Sequence, residues 1–316
     1  MVALYRNVID LIGNTPMVDI SPLSPNPAVS IYAKLEGQNP GGSVKDRAAK
    51  FMIEAAERDG LLQPGSVVLE SSSGNTGIAL AMICKVRGYH LKVVLPENVS
   101  VERRQALEVW GTEIIPSPAA EGSNGAMRRA QALAAENPQW WFPFQYGNDA
   151  NPRAHYAGTG PEILADVPDI THFVAGLGTA GTLMGVGTYL KEQKPSVQVW
   201  AIEPPAGEMV DGLKNFDEGF VPPVFTDWNG YELLDRKMIV RPRESIVWTR
   251  RLTEVGVFAG ISSGAIAAGA AKCAEAIDEG VVVMIVCDGG WKYLSTGAWT
   301  DDLDKVEARA KGTIYF

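Results

Sequence analysis

Short β-branched runs alternate with longer amphipathic stretches through most of this chain, and that alternation limits the fold more than any other feature. SIYAKLE (30–36) reads as a strand and SVKDRAAKFMIEAAERDG (43–60) as a helix closing on Gly60. VVLES (67–71) precedes the helical TGIALAMICKVRG (76–88). LKVVLP (91–96), SVERRQALEVWG (100–111), TEIIPS (112–117) and NGAMRRAQALAAEN (124–137) continue the pattern. Further on come HFVAG (172–176), TLMGVGTYLKEQ (182–193), VQVWAIE (197–203), helices near 243–256 and 264–278, and VVVMIVCD (281–288). Strand–helix alternation implies right-handed crossovers and a parallel sheet covered on both faces, and these strands are apolar enough for that burial. The expected class is α/β. Two stretches break the rhythm: 137–153, rich in Pro, Asn and aromatics, suggests a domain boundary, and 216–236 reads as a long functional loop or insertion.

Composition narrows the function. Three cysteines are too few, and odd in number, for a disulfide scaffold, and with only three histidines a multi-ligand zinc cage is hard to build. No metal is expected. A net charge of −9 argues against binding a nucleic-acid backbone. The opening segment has no uninterrupted apolar stretch of the signal-peptide kind, and the longest apolar run, GVVVMIVC (280–287), is far too short for a membrane span. The expectation is a cytoplasmic protein of about two domains for its 316 residues.

The 33 glycines exceed the usual share of roughly 7%, and they cluster: NPGGS (39–43), SSSGNTG (71–77), GLGTAGT (176–182), GISSGA (260–265) and DGGWKYLSTG (288–297). At least three clusters sit where a strand hands over to a helix. Such turns line the ligand crevice of an open α/β sheet, and glycine lets backbone N–H groups approach an anion closely. Gly176, Gly178 and Gly181 also fit G-x-G-x-x-G, with Glu203 ending the next strand 22 residues beyond Gly181. Alone, that spacing would suggest a nicotinamide-dependent oxidoreductase. Thr179 and Thr182 favour instead a terminal phosphate, whose charge density rewards extra hydroxyl donors. Lys45 lies in the first turn of its helix, where the dipole depresses its pKa, as a Schiff-base lysine requires. Ser72, Ser73, Asn75 and Thr76 could receive a carboxylate or simply cap a helix, and capping is also the plain reading of Ser262 and Ser263.

Taken together and in order, IGNTP (12–16), NPGGSVKDR (39–47), ESSSGNTG (70–77), LPENVSVERR (95–104), QYGN (145–148), GTGPEI (158–163), AGLGTAGT (175–182), EP (203–204) and GISSGA (260–265) resemble the fold-type II pyridoxal-phosphate (PLP) enzymes, specifically the cysteine synthases. The resemblance implies a tryptophan synthase β-like fold of two three-layer domains with mainly parallel sheets. Residues 38–143 would form a smaller mobile domain carrying the carboxylate loop. Residues 1–37 and 144–316 would form the larger domain holding most of the cofactor site. Lys45 would carry PLP as a Schiff base and act as the base at Cα. Asn75 would hydrogen-bond the cofactor's 3′-oxygen, and Gly178, Thr179, Ala180, Gly181 and Thr182 would cradle its phosphate. Ser262 would face the pyridine nitrogen. Ser72, Ser73, Asn75, Thr76 and Gln145 would bind the substrate carboxylate. The implied reaction is a β-replacement on an O-activated L-serine, through an α-aminoacrylate, to give L-cysteine.

ENVSVERRQ (97–105), EGSNGA (121–126), THFVAGLGTAGTLMG (171–185), NFDEGF (215–220) and DGGWKYLSTGAW (288–299) are similar to the M-type (cysteine synthase B-like) branch found in actinobacteria. Some of its members use O-phosphoserine rather than O-acetylserine and take sulfur from a carrier protein's thiocarboxylate. Those carry an arginine before N-x-D-E-G-F. Here Lys214 keeps that charge without the bidentate fork, and two further basic positions read Gln198 and Pro205. The tail KGTIYF (311–316) can fold into the cleft in this branch, and the family is usually homodimeric. Serine dehydratase and cystathionine β-synthase chemistry are the neighbouring alternatives.

Overall fold

The computed structural model describes residues 4–72, 74–99 and 101–312. The expectations for Ser73 and for the end of the C-terminal tail, 313–316, therefore fall outside the described residues. Among the described residues there are nine strands: β1 (Met17–Asp19), β2 (Val29–Leu35), β3 (Val67–Glu70), β4 (His90–Pro96), β5 (Glu113–Ser117), β6 (His172–Gly176), β7 (Gln198–Glu203), β8 (Arg236–Ile239) and β9 (Gly280–Val286). They form a six-stranded sheet in the order β1-β2-β9-β6-β7-β8 and a three-stranded sheet in the order β3-β4-β5. Every pairing is parallel except β1 with β2.

The period-2 geometry of strands explains why these runs are apolar throughout. In β9, Val282 and Met284 join one core and Val283 and Ile285 the other; in β6, Val174 faces one side and Phe173 and Ala175 the opposite. One core is closed by the alanine-rich helix Ile261–Ala276 and by Pro242–Glu254, the other by Gly181–Gln193. The smaller sheet repeats the plan. Val68, Val93 and Leu95 pack against helices Lys45–Arg58 and Asn75–Arg87, and Leu69 and Val94 against Gly122–Glu136.

The sequence reading differs from the structure at two strands. β1 has only three residues and runs antiparallel, so it leaves almost no period to read. β8 begins inside the stretch read as a loop, which also holds the short helices Pro223–Asp227 and Gly230–Leu233. Glu203 and Asp217 both take Lys237 of β8 in ion pairs, stitching this segment to the sheet.

Candidate active site

The carboxyl ends of β3, β6 and β9 open toward one cavity of about 480 Å³ between the two sheets. This is where an open parallel sheet presents its turns to a ligand. Lys45, Ser72, Asn75, Thr76, Gln145, Gly178, Thr179, Ala180, Thr182, Lys214 and Ser262 all line it. Of the described residues to which the resemblance gives a catalytic, cofactor or substrate role, Gly181 alone does not.

Lys45 is the first residue of its helix and is largely buried in the cavity wall. Its pKa is lowered. Burial is the main cause, with Cys287 and Asp288 partly opposing it. The direction is the one expected at a helix start, but desolvation leads here. Two residues on, Arg47 fixes the helix. It makes a bidentate pair with Glu36 at 2.7 and 2.9 Å and a second fork onto Glu162 at 2.7 and 2.6 Å. Burial would raise the Glu162 pKa, but Arg47 and Lys34 overcome it and hold it down at about 2.

The turn after β6 is a cradle without side chains at its closest points. A Cβ on Gly178 would come within 2.5 Å of the Gly212 carbonyl oxygen, and one on Gly181 within 2.1 Å of Asn151 Oδ1. Ala180 takes the left-handed conformation (φ 67°) just ahead of helix Gly181–Gln193. Asn151 donates to the Thr179 hydroxyl at 3.2 Å, and Thr182 Oγ1 lies 3.3 Å from Nε2 of the buried His155. Burial, then Arg47 and Lys45, keep His155 neutral. A helix start with two threonine hydroxyls and a glycine cup matches a phosphate monoester.

Capping does not consume the polar side chains. Helices Asn75–Arg87 and Ile261–Ala276 begin behind Gly74 and Gly260 with no side-chain cap bond. Ser263 is structural all the same, since its Oγ accepts from the Cys287 backbone at 2.9 Å. Ser262 contacts the Cys287 thiol, which burial pushes up to about 12. Thr76 Oγ1 donates to Gln145 Oε1 at 2.7 Å across the cleft. The Lys214 ammonium sits 5.5 Å from the Tyr146 ring centre and 5.9 Å from that of Phe220. Burial lowers its pKa, and no carboxylate opposes the shift.

Several lining groups escaped sequence reasoning: Arg103, Asp211, Cys287 and Tyr293. Arg103 pairs with Asp211 at 2.7 Å, bridging the segment after β4 to the loop before Lys214. Glu203, the acid that would have bound a ribose, is buried and committed to Lys237 at 2.8 Å and to the Phe216 amide at 3.3 Å. It does not line the cavity. The nicotinamide alternative loses its second element there.

Comparison with known proteins supplies the deciding observation: the pyridoxal-phosphate dependent enzyme family matches residues 8–288. The chain belongs to this family. A member from Salmonella typhimurium, cysteine synthase B, is 41% identical over 293 residues, 92% of this chain and 95% of its own. The solved structure of O-ureido-L-serine synthase is 38% identical with a TM-score of 0.87, covering 94% of this chain and 96% of that one. Cysteine synthase from Entamoeba histolytica gives a TM-score of 0.88 at 30% identity, covering 98% and 96%. The fold is that of the fold-type II PLP enzymes, and the cofactor is PLP. The glycine cup, the threonine hydroxyls and the largely buried lysine of lowered pKa in one cavity suit a phosphate-bearing aldehyde.

Proposed function

We propose that this PLP-dependent enzyme makes L-cysteine by β-replacement on an O-activated L-serine. The observation that carries the reading is the place of Lys45, a lysine of depressed pKa in the one cavity that also holds a phosphate cup and a polar receptor turn. Bound PLP supplies an electron sink for negative charge at the substrate Cα. Lys45 holds the cofactor aldehyde at rest and, once freed, takes the Cα proton. Gly178, Thr179, Ala180, Gly181 and Thr182 bind the phosphate. Ser72, Thr76, Gln145 and the backbone of Asn75 would grip the substrate carboxylate, while the Asn75 side chain would meet the cofactor's ring oxygen. Ser262, a hydroxyl rather than a carboxylate, meets the pyridine nitrogen without holding a proton on it. That favours loss of the β-substituent over transamination. The Cβ–O bond breaks, the leaving group departs as acetate or phosphate, and a sulfur nucleophile bonds to Cβ while Cα regains a proton.

Lys214 bears on the choice of donor. An ammonium in the cavity without a carboxylate partner is suited to a leaving group of high negative charge, which supports O-phospho-L-serine as a substrate beside O-acetyl-L-serine. The sulfur source is sulfide or a carrier protein's terminal thiocarboxylate, and the working form is a homodimer. Residues 38–143 act as the mobile unit, which would close the carboxylate turn over the substrate. The test is kcat/KM for both donors in the wild type and in Lys214→Ala. The expected loss is about 100-fold for phosphoserine, as for an unmade hydrogen bond to a charge, and under about 3-fold for acetylserine. Phosphoserine turnover untouched by the substitution removes Lys214 as the phosphate clamp. Product analysis with sulfide present separates cysteine synthesis from deamination.

A further inference from the structure

One glycine cluster, 288–297, carries no site role from its sequence, yet its Asp288 and Lys292 reach Asn75 in the cavity wall and its Tyr293 lines the cavity. Asp288 lies just beyond β9 and is fully buried. Its Oδ2 accepts from Asn75 Nδ2 at 2.8 Å and from the Tyr293 hydroxyl at 2.6 Å. Lys292 Nζ donates to Asn75 Oδ1 at 2.6 Å and to the carbonyls of Gly41 and Gly42 at 3.2 and 3.1 Å. Gly42 is in the left-handed region (φ 81°), and a Cβ there would press on the Trp291 ring at 3.0 Å and on Lys292 Nζ at 3.4 Å. The turn that leads into Lys45 is thus shaped around this lysine.

The chemistry of the partners fixes the amide of Asn75. An ammonium only donates, so it must meet the amide oxygen; a carboxylate only accepts, so it must meet the amide nitrogen. Flipping the amide would set donor against donor and acceptor against acceptor at once. One N–H of Asn75 remains uncommitted, and Asn75 lines the cavity. Drawing electron density toward Oδ1 makes that remaining N–H a stronger donor.

We propose that Lys292 is a positioning residue: with Asp288 it locks the Asn75 amide so that one polarised N–H points at the cofactor's ring oxygen, and it ties that amide to the Lys45 turn. The inference rests on the Asn75 role given under the proposed function. The charged groups facing Lys292 are Asp288, Asp46, Arg103 and Lys45.

A double-mutant cycle on the holoenzyme tests it, read by the visible band of the bound cofactor as a function of pH and by the thermal melt. Lys292→Met is expected to keep its fold and its cofactor while the pH midpoint of the band moves by about one unit. Lys292→Arg should return most of that shift, because it restores a charged donor. In an Asn75→Ala background, Lys292→Met should add nothing further, since the two act as one unit. A wild-type titration curve for Lys292→Met overturns the proposal, and so does a shift that persists undiminished without Asn75. An unaltered band in Asn75→Ala alone defeats the underlying role of Asn75, a failure distinct from the other two. Should Lys292→Met lose its fold, Lys292→Gln carries the same cycle.

Discussion

The turn after β6 and the turn after β3 both hand a strand to a helix start over the same cavity, yet they are held in opposite ways. Around 177–182 the chain is tied by distant parts of the fold. The Leu177 amide donates to Ile202, its carbonyl accepts from the Lys214 amide, and Asn151 and His155 fix the two threonine hydroxyls. Among the described residues of the other turn, Ser71, Ser72 and Gly74 are tied at short range: the Ser71 amide donates to the adjacent Glu70 carboxylate and the Gly74 amide to Ser72 Oγ. Ser71 reaches Met127, on a helix packed against the same small sheet, and among the described residues of the turn Asn75 and Thr76 reach the far side of the cleft. An over-determined turn suits a ligand that stays, and a sparsely tied one suits a ligand that comes and goes. On the proposed reading these are the cofactor phosphate and the substrate carboxylate.

Lys45 stands between the two turns and serves both, so its loss has the largest effect. Lys45→Ala should lower cysteine formation by at least about 1,000-fold, measured with excess donor and sulfide. Gly181→Ala attacks the rigid turn. Its new methyl meets Asn151 with no room to spare, and overpacking of roughly 1–3 kcal/mol should weaken cofactor affinity by about 10- to 100-fold in an equilibrium titration. Thr76→Val attacks the loose turn. It should raise KM for the amino-acid donor about 10-fold, the cost of one hydrogen bond, and leave cofactor affinity unchanged. If Thr76→Val costs as much cofactor affinity as Gly181→Ala, the contrast between the turns is broken.

An effect on stability rather than on turnover comes from beneath the loose turn. Glu70 is buried, its Oε2 has no hydrogen-bond partner among the described residues, and burial pushes its pKa up from 4.5 to about 7 despite the Ser71 amide. A carboxyl whose pKa rises on folding binds its proton more tightly in the native state. Its stabilising contribution is therefore present below about pH 4.5 and lost as pH rises through 7. Glu70→Gln should stabilise the protein at pH 8 by on the order of 1–3 kcal/mol and change little at pH 4, read from urea midpoints at the two values. A gain equal at both values would contradict the buried-charge account.

Much of this arrangement was legible in the sequence because it is local. The strand periods, the helix starts and four of the five glycine turns depend on neighbours a few residues apart. What escaped depends on meetings across the fold. Asn75 and Asp288 are 213 positions apart, and nothing in DGGWKYLSTG announces that its lysine and aspartate grip one amide. Arg103 and Asp211 are 108 positions apart, and each reads alone as a solvated charge until the cleft buries them together. The depressed pKa of Lys45 was foreseen from its helix position, but its main cause, burial, is a property of packing.

The most direct measurement is borohydride reduction of the purified holoenzyme followed by peptide mass mapping. The account predicts discharge of the visible band and a single pyridoxyl-phosphate adduct on Lys45, with no labelled lysine in Lys45→Ala. An adduct on another lysine, or wild-type protein that binds the cofactor without any adduct, would contradict it.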